Sequence, residues 1–133
     1  MKKKPIPMAI AYDFDGTLAP GNMQEYDFVP ALGMTSKEFW EEASELETHH
    51  QADRILAYMR LMIQKAGAKG VPIRRDDFAR YGSSIELFEG VEGWFGRLNA
   101  YAKKVNVDLK HYIISSGIKE MIEGTPIARE FDS

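Results

Sequence analysis

Residues Met8 to Phe14 read MAIAYDF, an unbroken apolar run that stops among carboxylates. A strand with one wet face alternates apolar and polar residues, whereas an unbroken run predicts a strand buried on both faces of a parallel α/β sheet. Lys110 to Ser115 repeats the pattern, with His111, Tyr112, Ile113 and Ile114 leading into Ser115-Ser116-Gly117. Ligands of open α/β sheets gather beyond the carboxyl ends of the strands. The ends of both runs are therefore candidate sites.

The stretch between the two strands is mostly helical in pattern. Thr35 followed by Glu38 predicts a capping box, and Phe39, Trp40, Ala43 and Leu46 continue at helical spacing. A second helix is predicted over Ala52 to Ala66, with Ile55, Leu56, Met59, Met62, Ile63 and Ala66 on one face and Gly67 ending it. A shorter helix fits Arg75 to Tyr81, closed by Gly82. A further one begins near Val91, where Val91, Trp94, Phe95, Leu98 and Ala102 form an apolar stripe. One helix is enough for a parallel crossover. The surplus predicts an inserted helical subdomain at 26–85, with the α/β core made of 1–25 and 86–133.

With 133 residues, one compact core is expected, and a second ordinary domain is not. A net charge of -3 argues against nucleic acid as partner, because phosphate-backbone binding relies on clustered Lys and Arg. Lys2-Lys3-Lys4 reads as a solvated terminus, and the run Met8 to Tyr12 is too short for a signal-peptide core or a membrane span. No membrane partner is expected. The absence of cysteine excludes disulfides, thiolate nucleophiles and sulfur-ligated zinc, and fits a cytoplasmic protein.

The segment richest in chemistry is Asp13-Phe14-Asp15-Gly16-Thr17-Leu18. Two carboxylates this close repel each other, so a cation or a raised pKa has to accompany them. Mg²⁺, a hard ion that prefers oxygen ligands, suits Asp13 and Asp15. A plain turn is the bland alternative, since Asp favours such positions. A calcium loop is excluded, because its sixth position needs Gly and its twelfth Glu, where this chain has Leu18 and Gln24. Ser115 and Ser116 suit the cap of a helix beginning near Gly117, and a helix start also favours phosphate.

A buried strand ending in DFDGTL, a helical insert and a strand ending in IISSG together resemble the haloacid dehalogenase superfamily. The chain looks most like the phosphoserine phosphatase branch, which has a Rossmann-like core and a helical cap between its first two motifs. The resemblance implies that Asp13 attacks phosphorus to form an aspartyl-phosphate. Asp15 would act as general acid and then general base, and Mg²⁺ would sit on the Asp13 carboxylate and the Asp15 backbone carbonyl. Ser115 would bind a phosphoryl oxygen, Ser116 and Gly117 would contribute backbone groups, and Thr17 would complete the phosphate loop through hydrogen bonds. The implied activity is Mg²⁺-dependent hydrolysis of a small phosphomonoester. Phosphonate hydrolysis, dehalogenation and mutase chemistry also occur in the superfamily.

The family pattern is incomplete here. Its third motif is a Lys and its fourth one or two Asp, several dozen residues beyond the second motif. The 16 residues after Gly117 hold no acidic pair at a strand end, and Lys119 falls in the helix that follows Ser115. The chain thus resembles the first half of such an enzyme, poorly active alone, with a further strand beginning near Phe131-Asp132-Ser133. Association with a second half, or with another copy, is expected. The alternative is a non-catalytic relic that binds a metal or a partner. Nine positions after Asp13, where the phosphoserine branch carries an acidic residue, stands Asn22. Phosphoserine is thereby disfavoured, although Glu25 is near.

Other residues carry weaker expectations. Asn22 to Tyr26 are placed to face the cleft. His49 and His50 belong to an exposed helix end, and His111 has no partner legible in the sequence. Trp40, Met59, Met62 and Trp94 are read as core.

Overall fold

The computed structural model describes residues 2–132. Two strands, β1 (Ile6–Tyr12) and β2 (Val107–Ile113), pair in parallel, with Ile6 opposite Val107 and Tyr12 opposite Ile113. The helices between them are α1 (Phe28–Ala31), α2 (Ser36–His50), α3 (Arg54–Lys69), α4 (Arg75–Gly82) and α5 (Val91–Lys104), and α6 (Lys119–Glu123) follows β2. The protein is of mixed α/β class with a two-stranded parallel sheet. Among the described residues, no helix is long and apolar enough to cross a membrane.

The capping logic of the first long helix holds. Thr35 Oγ1 accepts from the Glu38 backbone N–H, and the Glu38 carboxylate accepts from the Thr35 N–H, so the two satisfy each other's orphan donors. The second helix differs from expectation. Asp53 caps α3 by accepting from Ile55 and Leu56, so the helix starts at Arg54, runs through Gly67 and ends at Gly70 in the left-handed conformation. Its buried face is Ala57, Tyr58, Leu61, Met62 and Ala66, while Leu56 and Ile63 of the expected stripe are 65% and 61% exposed. The helix therefore presents the neighbouring stripe to α2, with which it packs.

The expectation of β1 as a strand buried on both faces is corrected. Most of it is exposed, including Ile6 and Met8. Among the described residues, α5 covers one face of the sheet. There Tyr12, Phe95 of α5, His111 and Phe131 form an aromatic cluster. Trp94, expected in the core, is 42% exposed and donates from Nε1 to the Tyr12 hydroxyl at 3.1 Å. His111 is buried and well partnered, with Nδ1 at 2.9 Å from the Tyr12 hydroxyl and Nε2 at 2.7 Å from Asn99 Oδ1.

Phe131 and Asp132 do not form a strand, and Ser133 lies outside the described residues. The chain nevertheless returns beside β2, for Asp132 N donates to His111 O at 2.7 Å and His111 N donates to Asp132 Oδ2 at 3.0 Å. The main core gathers Phe14, Leu18, Met23, Phe28, Phe39 and Leu61 with Met121 and Ile127. In it α4 packs on α6.

Candidate active site

Successive side chains of an extended segment point to opposite sides. Phe14 is completely buried, which anchors the segment and turns its neighbours Asp13 and Asp15 outward together. The turn that follows is closed by Gly16 N donating to Ala19 O at 2.7 Å and Leu18 N to Phe14 O at 2.9 Å. Gly16 has φ 76°, a left-handed conformation that glycine adopts without steric cost. The parallel register continues past the strand, with Ile114 N donating to Tyr12 O at 2.8 Å. Asp13 and Ser115 thus leave the carboxyl ends of adjacent strands.

These ends share a cavity of about 230 Å³, lined by Asp13, Asp15, Asn22, Gln24, Ser115, Ser116 and Gly117 from the core side. Trp40 of α2 and Arg54, Ile55 and Tyr58 of α3 line it from above. Asp13 Oδ1 accepts from Phe14 N at 2.9 Å, and Asp15 Oδ1 accepts from Met23 N at 2.8 Å. Burial pushes the Asp15 carboxyl up to about 6, helped by the charges of Asp13 and Glu25 and opposed by the Met23 hydrogen bond. Desolvation disfavours the charged form, so Asp15 keeps a proton well above the ordinary carboxylate range.

Ser115 does not cap the following helix. Its Oγ accepts from Gly117 N at 2.9 Å in a local turn, and α6 starts only at Lys119 with Ile118 in the capping position. The Ser116 carbonyl accepts from the Tyr58 hydroxyl at 2.6 Å, tying α3 to the second loop. Burial raises the Tyr58 hydroxyl, as does the Asp15 charge, with the neighbouring Gln24 amide pulling it back. Thr17 is exposed and does not line the cavity; its backbone N–H donates to Phe14 O at 3.2 Å.

Of the Asn22 to Tyr26 segment, Asn22 and Gln24 reach the cavity. Glu25 is engaged elsewhere: Oε1 accepts from Trp40 Nε1 at 2.6 Å and from Asn22 Nδ2 at 3.1 Å, and Oε2 from Asn22 N at 3.0 Å. Glu25 thereby orients two cavity walls. Trp40, expected in the core, is one of them. Gln24 is 2% exposed and its Oε1 has no hydrogen-bond partner. A buried carbonyl left unpaired costs about 1–3 kcal/mol.

Arg54 and Tyr58 were not singled out by the sequence, whereas Gln24 falls in the Asn22 to Tyr26 segment expected to face the cleft. Arg54 did carry a signal, being a cation in the first turn of a helix, where the macrodipole disfavours it. Tyr58 carried none, since only tertiary packing brings it to the strand ends. His49 and His50 are exposed at the end of α2, away from this cavity. Among the described residues, no group of three or more His, Asp or Glu converges as a metal cluster. Mg²⁺ does not require one, because it keeps several waters and takes one or two protein carboxylates beside phosphate oxygens. Asp13, with one carboxylate oxygen outside its local hydrogen bond, fits that requirement.

No family model matches the chain. It is similar to an uncharacterized protein of Borreliella burgdorferi, with 31% identity over 138 aligned residues that take in 96% of this chain and 48% of that protein. The chain thus spans about half the length of this relative.

Proposed function

We propose that the chain carries the nucleophile-bearing part of a Mg²⁺-dependent phosphatase of the haloacid dehalogenase type, with β1 and β2 as neighbouring strands of a larger Rossmann-like sheet. The observation that carries this reading is the shared cavity, in which Asp13, Asp15 and the Ser115-Ser116-Gly117 loop meet at two parallel strand ends. Bound Mg²⁺ would offset repulsion between the anionic nucleophile and an anionic phosphate, held by the Asp13 carboxylate and the Asp15 backbone carbonyl. Asp13 attacks phosphorus through a carboxylate oxygen, and the bond from phosphorus to the leaving oxygen breaks. The Asp15 carboxyl gives its proton to that oxygen, a task suited to a group pushed up to about 6. In the second half-reaction, water loses a proton to the Asp15 carboxylate and attacks phosphorus, which releases phosphate and restores Asp13. Ser115 Oγ and the backbone N–H of Ser116 hold the phosphoryl oxygens, and the Gly117 N–H, which donates to Ser115 Oγ, orients that hydroxyl.

The substrate is a small soluble phosphomonoester, and neutral Asn22 on the cavity wall disfavours phosphoserine. The cysteine-free sequence supports a cytoplasmic location. A second reading, a phosphate- or partner-binding relic without turnover, is favoured by one observation: among the cavity's lining residues Arg54 is the only cation. Titration with inorganic phosphate in Mg²⁺, followed by amide NMR, tests the site. The Ser115, Ser116 and Gly117 signals should move, and Asp13→Asn should abolish both the Mg²⁺ dependence and any turnover of phenyl phosphate. Phosphate that leaves those amides unmoved would overturn the proposal. Binding without turnover, even when a second half is supplied, selects the relic.

A further inference from the structure

Glu25 has one carboxylate oxygen more than its local structure uses. It closes the short 3₁₀ turn Met23–Glu25, where Oε2 accepts from the Asn22 N–H at 3.0 Å. That bond satisfies an orphan donor at the start of the turn, in the manner of a capping box. Gly21 leaves the space for it, since a Cβ there would collide with Oε2. Oε1 has a different task. It accepts from Asn22 Nδ2 at 3.1 Å and, across 15 residues of chain, from the Trp40 indole N–H at 2.6 Å. Hydrogen bonds to a charged acceptor are roughly twice as strong as neutral ones. Glu25 itself does not line the catalytic cavity, but Trp40 does. The bond therefore fixes a wall residue of α2 to the loop that follows Asp15.

What the side formed by α2 and α3 then offers a ligand is mostly ring and aliphatic surface. The indole N–H is spent on Glu25 and the Tyr58 hydroxyl proton on Ser116 O. Trp40 and Tyr58 meet edge to face at 5.7 Å between ring centroids, and Ile55 and Arg54 line the cavity with them. An aromatic leaving group matches such a wall, through contacts with the rings and a cation–π contact with the guanidinium. A polyhydroxy leaving group would give up water there and find neither ring's proton free.

We infer that Glu25 is a positioning residue for leaving-group recognition: through Oε1 it holds the Trp40 ring at the cavity wall, where the ring receives the aromatic part of an aryl phosphomonoester. The inference rests on the phosphatase reading of the same cavity and narrows its substrates to aryl rather than polyol phosphates.

The test titrates the protein in Mg²⁺ with inorganic phosphate, phenyl phosphate and glycerol phosphate, by calorimetry and by NMR of the indole N–H signals. Wild type should bind phenyl phosphate more tightly than glycerol phosphate. The Trp40 signal should move with phenyl phosphate and stay with inorganic phosphate, while that of Trp94, which donates to Tyr12 at the sheet, stays throughout. Glu25→Ala frees the ring, so binding has to order it again. Phenyl phosphate should then weaken about two- to tenfold, the range for one immobilised side chain. Inorganic phosphate should stay within about twofold by the same conversion. Glu25→Gln keeps an acceptor for the indole and should recover part of the loss; it carries the test if the alanine variant does not fold. In a Trp40→Phe background, which has no indole N–H, Glu25→Ala should change phenyl phosphate binding no further. A glutamate needed only for the fold would weaken all three probes alike, with or without the indole. That result, or phenyl phosphate binding that leaves the Trp40 signal unmoved, or a preference for glycerol phosphate, would overturn the role of Glu25 and leave the phosphatase reading standing. Wild-type protein that binds none of the three would overturn both.

Discussion

Asp15 gives the site a signature that can be read in stability before any substrate is known. Its folded pKa of about 6 lies above the ordinary value of 3.8, so the folded protein holds this proton more tightly than the unfolded chain does. The contribution is fully present below pH 3.8 and is lost as pH rises through about 6. Asn at this position stays neutral at every pH and still offers an oxygen to Met23 N. In metal-free buffer, Asp15→Asn should therefore gain on wild type between pH 4 and pH 7, by an amount of order 1 kcal/mol once solvent screening of a half-buried carboxylate is allowed for. His111 works the other way, since burial lowers its pKa and acid then favours the unfolded chain. Subtracting the two urea curves removes that shared contribution. A difference that stays flat from pH 4 to pH 7 would show that burial does not hold the Asp15 proton.

The crossing of α4 and α6 depends on two glycines that let backbones touch. A Cβ on Gly82 would run into the Met121 carbonyl, and one on Gly124 into the carbonyl of Ala79. Gly82→Ala gains about 1 kcal/mol of helix propensity but has to push a buried backbone aside, and overpacking of that kind typically costs about 1–3 kcal/mol. Net destabilisation is expected. Gly67→Ala is the control, because that site in α3 is exposed and has nothing within 4 Å, so it should stabilise by about 1 kcal/mol. Equal effects in chemical denaturation would remove the close approach as the cause. The same elements mark how far the sequence reached. The α2 cap was legible because Thr35 and Glu38 lie within one turn, and the α5 position because Phe95 and Ala102 repeat at helical spacing. The start of α3 was not, because Asp53 competes as a cap with the apolar periodicity upstream. Asp13, Asp15 and Ser115 were legible because strand ends and spacing place them. Trp40 was read in part: it packs against the core as expected and also lines the cavity, and an aromatic on an apolar stripe looks the same in either setting. Gln24 was legible only as part of the Asn22 to Tyr26 segment that follows the catalytic loop, and Tyr58 was invisible for lack of any local signal.

The sheet leaves the molecule unfinished on one side. Tyr12, Ile10 and His111 share the face that α5 covers through Phe95, while Ala9, Ala11, Asp108 and Lys110 on the opposite face are exposed. Among the described residues β1 has β2 on one side only, so its other edge presents unpaired N–H and C=O groups. Pro7 blunts the start of that edge, since it has no N–H to donate, but Met8 to Tyr12 carry neither charge nor proline. A small-residue face beside an open apolar edge is a template for pairing. On its own, the 133-residue chain should self-associate. Sedimentation velocity should show a weight-average mass that climbs with concentration above 15.1 kDa. Ala9→Lys puts a charge in the middle of the edge strand, away from Asp13 and Ser115, and should return the protein to monomer without weakening phosphate binding. A wild-type chain that stays monomeric at all concentrations would mean that the exposed edge is tolerated as it stands, and that no second chain is needed to cover β1.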